Sequence, residues 1–132
     1  MTARLMDGKA TASLVRAEVA AEVRHLKQHG IVPGLSVILV GDDPASQVYV
    51  RNKDRAASEA GLSVETLRFP ATLAAGDLLA TVRRLNADPR VHGSLVQLPL
   101  PSGLDDGPVV QAIAPEKDVD GLNRINVGSL WR

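Results

Sequence analysis

One lysine stands among small and apolar side chains on a helix that the sequence predicts for residues 44–60. On a helical wheel, the sector that contains Lys53 is otherwise uncharged and holds Ser46, Tyr49, Ala56, Ala57 and Ala60. Tyr49 lies one turn before Lys53, so the two side chains lie one above the other. An ammonium held partly out of water releases its proton more readily, which suits proton transfer to a substrate. The alternative is a core helix whose edge lysine extends into solvent, with Tyr49 as packing.

A second polar side chain, Gln97, ends the apolar segment 91–98. At the end of a buried strand, its amide can hydrogen-bond Lys53 and a substrate atom together. Pro99 and Pro101 stiffen the segment that follows, which can form a wall against a flat ligand, and the sequence does not decide whether either X–Pro bond is cis. The alternative is a strand that ends at a proline and leaves an exposed glutamine.

The third feature is a pair of acidic residues, Asp118 and Asp120, followed by Gly121. They resemble part of a calcium-binding loop, but the glutamate that such a loop needs downstream is absent. A carboxylate here can instead grip a heterocycle with adjacent N–H donors, and an ordinary Asp–Gly turn is the alternative. His25 and His29 have metal-ligand spacing, yet nothing supports a site around them, so we expect them to face solvent.

The elements that must position these side chains alternate between helices and short buried strands. The sequence predicts helices over residues 9–29, 44–60 and 105–113, strands over 35–40, 62–69 and 91–98, and one further helix capped by Asp77. The first helix carries an apolar stripe of Val15, Val19, Val23 and Leu26. Asp43 is expected to cap the second helix, with Pro44 at its first position. Residues 114–132 have no clear pattern.

This alternation predicts a single α/β domain in three layers, a mostly parallel sheet with helices on both sides. Such sheets bind ligands beyond the carboxyl ends of their strands, which is where Gln97 lies. The chain has 132 residues, 15 basic and 15 acidic side chains, and no cysteine. We therefore expect neither a nucleic-acid nor a membrane partner, and disulfides and thiolate chemistry are excluded. No secretory signal is evident, so we expect a cytoplasmic protein.

Three blocks of the sequence together resemble the bifunctional methylenetetrahydrofolate dehydrogenase/methenyltetrahydrofolate cyclohydrolase family. They are V-G-D-D-P-A-S-Q-V-Y-V-R-N-K at residues 40–53, the segment 93–101, and K-D-V-D-G at 117–121 with N-V-G at 126–128. The resemblance begins at Asp7 and covers nearly the whole chain. No Gly-rich dinucleotide loop or phosphate-binding loop occurs in it.

The resemblance implies two steps of one-carbon metabolism at one site, which serve purine biosynthesis among other pathways. These are oxidation of 5,10-methylenetetrahydrofolate with NADP and hydrolysis of the resulting methenyl cation to 10-formyltetrahydrofolate. Lys53 would be the central catalytic group, Gln97 would hold it, and Tyr49 would stack on the folate. Asp120 would anchor the pterin. The remaining substrate-binding candidates are Ser46, Leu98, Pro99 and Leu100. No metal is implied.

The sequence departs from the family pattern in two respects. Leu122 and Asn123 stand where the family usually has Phe and His, which puts substrate binding beside the pterin anchor in question. In the family, a Rossmann domain with the NADP site follows the folate-binding part. We therefore expect residues 1–132 to be the N-terminal catalytic domain, with about 118–132 leading toward the NADP-binding domain.

The family homodimer is expected to rest largely on that second domain, which leaves this part monomeric by itself. One alternative is a folate-binding module without catalysis, or a truncated form without dehydrogenase activity. Another is an interaction module that offers Pro99–Pro101 as a peptide ligand.

Overall fold

A parallel three-stranded sheet runs through the computed structural model, which describes residues 6–131. The elements in chain order are α1 (Gly8–Gln28), β1 (Gly34–Val40), α2 (Pro44–Glu59), β2 (Ser63–Phe69), α3 (Ala75–Ala87), β3 (Gly93–Val96), α4 (Asp106–Ala112), a 3₁₀ turn (Pro115–Lys117) and α5 (Arg124–Ser129). β1 lies in the centre and pairs with β2 on one side and β3 on the other. The predicted α/β domain is confirmed. None of the helices described is long and apolar enough to cross a membrane.

The start of α2 is set as the sequence predicts. Asp43 caps the helix, its carboxylate accepting a hydrogen bond from the Ser46 backbone N–H at 2.7 Å, and Pro44 occupies the first position. The expected cap of α3 is wrong. That helix begins at Ala75 without a side-chain cap, and Asp77 lies within the first turn, where its charge still complements the helix dipole.

The two faces of the sheet are packed unequally. Alternate residues of β1 point to opposite faces, so Ile38 and Val40 meet α3 and α4, whereas Val37 and Leu39 meet α2. We call the first of these the α3 face and the second the α2 face. The buried cluster on the α3 face comprises Ile38, Val40, Leu78, Val82, Leu85, Val91, Val96, Leu100, Val109 and Ile113. The cluster on the α2 face comprises Val37, Leu39, Val50 and Leu95.

Helix α1 forms where predicted, but its apolar stripe is mostly uncovered in the described structure. Val23 is buried beside Gly61, whereas Val15 and Val19 are 50 % and 42 % exposed. An apolar groove of about 320 Å³ lies between α1 and α2, and Val19, Leu35 and Leu95 are among its lining residues. We call it the α1–α2 groove.

The last segment, without a clear pattern in the sequence, is ordered around a short β-bridge. Asp118 pairs in parallel with Ser94 of β3, which extends the sheet by one residue pair. Asn123 then caps α5 by accepting a hydrogen bond from the Ile125 backbone N–H at 3.0 Å. The segment therefore runs beside β3 in the direction of its carboxyl end.

Candidate active site

Lys53 and Gln97 meet at the carboxyl end of the sheet. Lys53 lies on α2, and Gln97 follows β3 directly, held by a backbone hydrogen bond to the Ile38 carbonyl at 2.8 Å. The Lys53 ammonium donates to Gln97 Oε1 at 3.3 Å. Gln97 Nε2 donates to the Leu98 carbonyl at 2.8 Å, so the amide has one favourable orientation and presents its oxygen to the lysine. The predicted pairing of these two side chains is thus present.

Asp120 is the third side chain at this point. Asp118 pairs in parallel with Ser94 of β3, so the chain that follows leads toward the carboxyl end of that strand, where Gln97 lies. Its Oδ1 lies 4.0 Å from Lys53 Nζ, and the two side chains are 36 % and 38 % exposed. Pairs this exposed contribute only about 0–1 kcal/mol to folding. The arrangement therefore leaves a cation and an anion side by side, both accessible to a ligand.

A hydrogen-bonded turn holds the backbone around Asp120. The carboxylate of Asp118 accepts from the backbone N–H groups of Gly121 at 3.1 Å and Asn123 at 2.8 Å, and from Asn126 Nδ2 at 3.0 Å. Burial raises the pKa of Asp118, but these hydrogen bonds outweigh it and hold the pKa below its usual value. Gly121 has φ of +68°, a conformation that favours glycine directly after Asp120.

Tyr49 differs from the prediction that it faces inward with Lys53, whereas Ser46 faces inward as predicted. The buried residues of α2 are Ser46 and Val50, at 2 % and 0 % exposure, whereas Tyr49 is 60 % exposed. The inward face is rotated toward Val50 because that residue packs between Val37 and Leu39 of the central strand. The Tyr49 ring is therefore open to a ligand, and Ser46 is enclosed beneath the start of α2.

The segment after Gln97, predicted to form a wall against a ligand, has only some of its residues at the surface. The Leu98–Pro99 peptide bond is cis. Leu98 is half-buried and Pro99 is exposed, whereas Leu100 is 9 % exposed and belongs to the cluster on the α3 face. Pro99, Leu100 and Pro101 border a hollow of about 300 Å³ together with the β1–α2 turn. Because Leu100 is buried within the fold, the Pro99–Pro101 segment is not free to bind a partner as an extended peptide ligand.

Residue types and spacing do not indicate Lys117, which supports the backbone before Asp120. Lys117 donates to three carbonyls at the end of α3, those of Leu85, Asn86 and Asp88, at 2.8–3.1 Å. The available signal was the Asp–x–x–Gly spacing from Asp118, which is typical of a turn closed by a carboxylate.

The two departures from the family pattern have different environments. Asn123 is 4 % exposed and donates to the Ile113 carbonyl at 3.0 Å, so its side chain points into the fold. Leu122 is 46 % exposed. The substitution at position 123 therefore serves the turn and the start of α5 rather than a ligand surface.

Neither a metal nor a dinucleotide phosphate fits the described residues. Across residues 6–131, no three His, Asp or Glu side chains are grouped so as to hold a metal ion, and His25 and His29 are exposed as predicted. The turn from β1 into α2 is the place where such folds bind phosphate. Here the Asp43 carboxylate already occupies the Ser46 N–H, and this hydrogen bond lowers the pKa of Asp43, so negative charge stands where a phosphate would bind.

Comparisons with known proteins agree with this geometry. The catalytic-domain model of tetrahydrofolate dehydrogenase/cyclohydrolase matches residues 6–120. The "Bifunctional protein FolD" of Rhodopseudomonas palustris strain BisB5 is 58 % identical over 98 % of this chain, and that of Moorella thermoacetica is 56 % identical over 98 %. The chain spans 44 % and 46 % of those two relatives.

Solved structures show the same likeness. A bifunctional FolD methylenetetrahydrofolate dehydrogenase/cyclohydrolase from Campylobacter jejuni has a TM-score of 0.94 at 42 % identity, covering 96 % of this chain and 45 % of that one. The Trypanosoma brucei enzyme, complexed with NADP and an inhibitor, has a TM-score of 0.91 at 39 % identity, covering 98 % and 45 %. This chain belongs to the tetrahydrofolate dehydrogenase/cyclohydrolase family, and it matches the catalytic domain.

Proposed function

We propose that this chain provides the folate site of an enzyme that oxidises 5,10-methylenetetrahydrofolate and hydrolyses the methenyl product to 10-formyltetrahydrofolate. The observation that carries the proposal is the approach of Lys53, Gln97 and Asp120 at one edge of the sheet. A cation, an amide and a carboxylate at this spacing can bind a flat polar heterocycle and transfer protons beside it. Family membership supplies the identity of that heterocycle.

In the hydrolytic step, Lys53 transfers the protons. Water adds to the methenyl carbon and loses both of its protons as its oxygen becomes the formyl oxygen. One of these protons goes to the ring nitrogen whose bond to that carbon breaks, and the other is released. The Gln97 oxygen accepts a hydrogen bond from the ammonium at 3.3 Å and keeps it directed at this point. Proton transfer by one positioned group typically accelerates a reaction by about 10²- to 10⁴-fold.

Asp120 and Tyr49 orient the substrate in this proposal. The Asp120 carboxylate can accept two parallel hydrogen bonds from the amino group and ring N–H of a pterin, which fixes both position and tautomer. The exposed Tyr49 ring, one helical turn from Lys53, offers an aromatic face to the delocalised methenyl cation. Leu98 and Pro99 form the adjacent wall, and buried Ser46 and Leu100 support it from beneath.

The cofactor of the oxidative step is NADP in our proposal, as in the Trypanosoma brucei complex. It would supply the hydride acceptor that oxidation of the methylene carbon requires. The described residues do not fit its phosphates, so we assign its binding to a part of the enzyme other than this chain. The assembly is proposed to be a cytoplasmic homodimer that binds neither nucleic acid nor membranes.

The direct test is hydrolysis of 5,10-methenyltetrahydrofolate, followed by the loss of its absorbance. We expect this chain to exceed the uncatalysed rate, and Lys53→Met to lose about 10²-fold or more of that acceleration. Arg55→Met is the matched control, since Arg55 lies on the same helix but is 73 % exposed and pairs with Glu59. An unchanged rate in Lys53→Met would refute the role of Lys53.

The same variants separate catalysis from simple binding. A non-catalytic folate module would bind tetrahydrofolate, show no hydrolysis above background, and keep its affinity in Lys53→Met. The accessible Lys53 ammonium beside Asp120 favours catalysis, because binding alone does not require a proton donor directed at the ligand position.

A further inference from the structure

The residues before Asp120 are attached to the fold at two places. Lys117 fixes the backbone on one side through its three hydrogen bonds to carbonyls at the end of α3. Asp118 fixes it on the other side through three hydrogen bonds to Gly121, Asn123 and Asn126. The Asn126 amide also donates to the Pro115 carbonyl at 2.9 Å, which closes the loop on itself.

Asp120 itself makes no such bonds among the described side chains, and its one charged neighbour is Lys53 at 4.0 Å. Its position is therefore determined by the backbone that its neighbours hold. Two further contacts limit that backbone: Asp118 bridges to Ser94, and Val119 lies so close to Gly93 that a Cβ there would be 2.5 Å from it.

We propose that Lys117 and Asp118 are positioning residues that hold the Asp120 carboxylate opposite Lys53 for ligand binding. This inference rests on the proposed function. It gives the two acidic residues of the loop different roles, a structural one for Asp118 and a ligand-binding one for Asp120. Asp118 is turned into the fold and its hydrogen-bonding capacity is used internally, whereas Asp120 remains open. Neither Lys117 nor Asp118 touches the substrate in this account.

The test is a double-mutant cycle on the affinity of this chain for tetrahydrofolate, measured by calorimetry. Asp118→Asn presents an amide N–H₂ to groups that are themselves donors, and we expect it to weaken binding at least about tenfold. If Asp118 acts through Asp120, adding Asp118→Asn to Asp120→Ala changes the affinity by less than about twofold. Penalties that multiply in the double variant, or an unchanged affinity in Asp118→Asn, would overturn the proposal.

Two further variants guard against a general loss of folding. Lys117→Met keeps the aliphatic chain, removes the ammonium, and is expected to weaken binding only where Asp120 is present. Asp105→Asn is the matched control, because Asp105 accepts a backbone N–H two residues on, from Gly107, at the start of α4. It should leave the affinity unchanged, and a tetrahydrofolate affinity that falls equally in this control would contradict a specific role for Asp118.

Amide hydrogen exchange at Gly121 keeps this inference separate from the proposed function. We expect Asp118→Asn to accelerate that exchange while the amides of β1 keep their rates. If the unsubstituted chain fails to bind tetrahydrofolate, the proposed function fails. The exchange measurement then tests the positioning role by itself, and unaltered exchange at Gly121 in Asp118→Asn would refute that role.

Discussion

The α3 face and the α2 face of the sheet differ in how completely they are packed. The α3 face has a buried cluster of ten residues, including Leu78, Val82 and Leu85 from α3 alone. The α2 face has a buried cluster of four, and the helix that covers it contributes only Val50. Lys53 and Tyr49 lie on that same thinly packed helix, and both remain accessible.

The difference indicates that one face of the sheet contributes most of the stability, whereas the helix on the other face carries side chains proposed to contact the ligand. A dense layer of aliphatic side chains on one face fixes the strands, whose carboxyl ends then place Gln97 and the 118–121 turn. On the other face, α2 is anchored at Ser46 and Val50, and its remaining turns are free to carry side chains that suit a ligand. We therefore expect substitutions on the α3 face to lower the free energy of unfolding, and substitutions on α2 to weaken ligand binding.

The largest effect should come from the α3 face. Leu78→Ala removes a side chain with 0 % exposure and is expected to lower the free energy of unfolding by about 2–5 kcal/mol. The same substitution at Leu35, a half-buried residue of the α2 face beside the α1–α2 groove, should cost about 1 kcal/mol. Urea denaturation measures both. Equal losses would show that the two faces contribute equally, contrary to this comparison.

A smaller effect on binding, with almost none on stability, is expected from Tyr49→Ala. The ring is 60 % exposed, so its loss should alter the free energy of unfolding by less than about 0.5 kcal/mol. Loss of stacking should weaken tetrahydrofolate binding by up to about tenfold. Tyr49→Phe keeps the ring and should retain the affinity. A Tyr49→Ala chain that unfolds readily would place Tyr49 in the core after all.

The smallest effect concerns the ion pair of Asp88 and Arg90 at the end of α3. The Arg90 guanidinium, together with the Arg90 backbone N–H, lowers the pKa of Asp88 from 3.8 to about 2. A lowered pKa stabilises the fold above the unfolded value, and this contribution disappears as the pH falls from about 4 to 2.

The difference in stability between the unsubstituted chain and Asp88→Asn should therefore be constant near neutral pH and shrink through that acid range. Denaturation at a series of pH values measures it. A stability difference that stays the same down to pH 2, or that grows, would show that the charge of Asp88 does not stabilise the end of α3.

The sequence predicts the fold well where short-range rules apply. Apolar runs mark the three strands, and Asp43 with Pro44 marks the start of α2. It fails at Asp77, because α3 begins three residues earlier, with Ala74 in place of Asp77 at the N-cap position and no capping side chain. It also fails for Tyr49, since the buried direction of α2 is set by Val50, which packs against β1 and β3, and periodicity alone does not contain such a tertiary contact.

At the site, residue types indicate Lys53, Gln97 and Asp120, but not what holds them. The roles of Lys117 and Asp118 depend on carbonyls and N–H groups from α3 and α5 that come together only in the folded chain. The exposed Val15 and Val19 on α1 are a similar case, because an apolar stripe indicates a helix without showing what covers it.

The most direct test of the central claim, that the carboxyl end of the sheet binds the folate, is an NMR titration of the chain with tetrahydrofolate. We predict that the largest amide shifts fall at Gln97, at residues 118–121 and on α2 around Lys53, and that Asp120→Ala strongly reduces them at the same ligand concentration. Lys53 also borders the α1–α2 groove, so the groove is tested by its other wall: shifts confined to Arg16, Val19 and Leu62, or shifts that persist unchanged in Asp120→Ala, would contradict the claim.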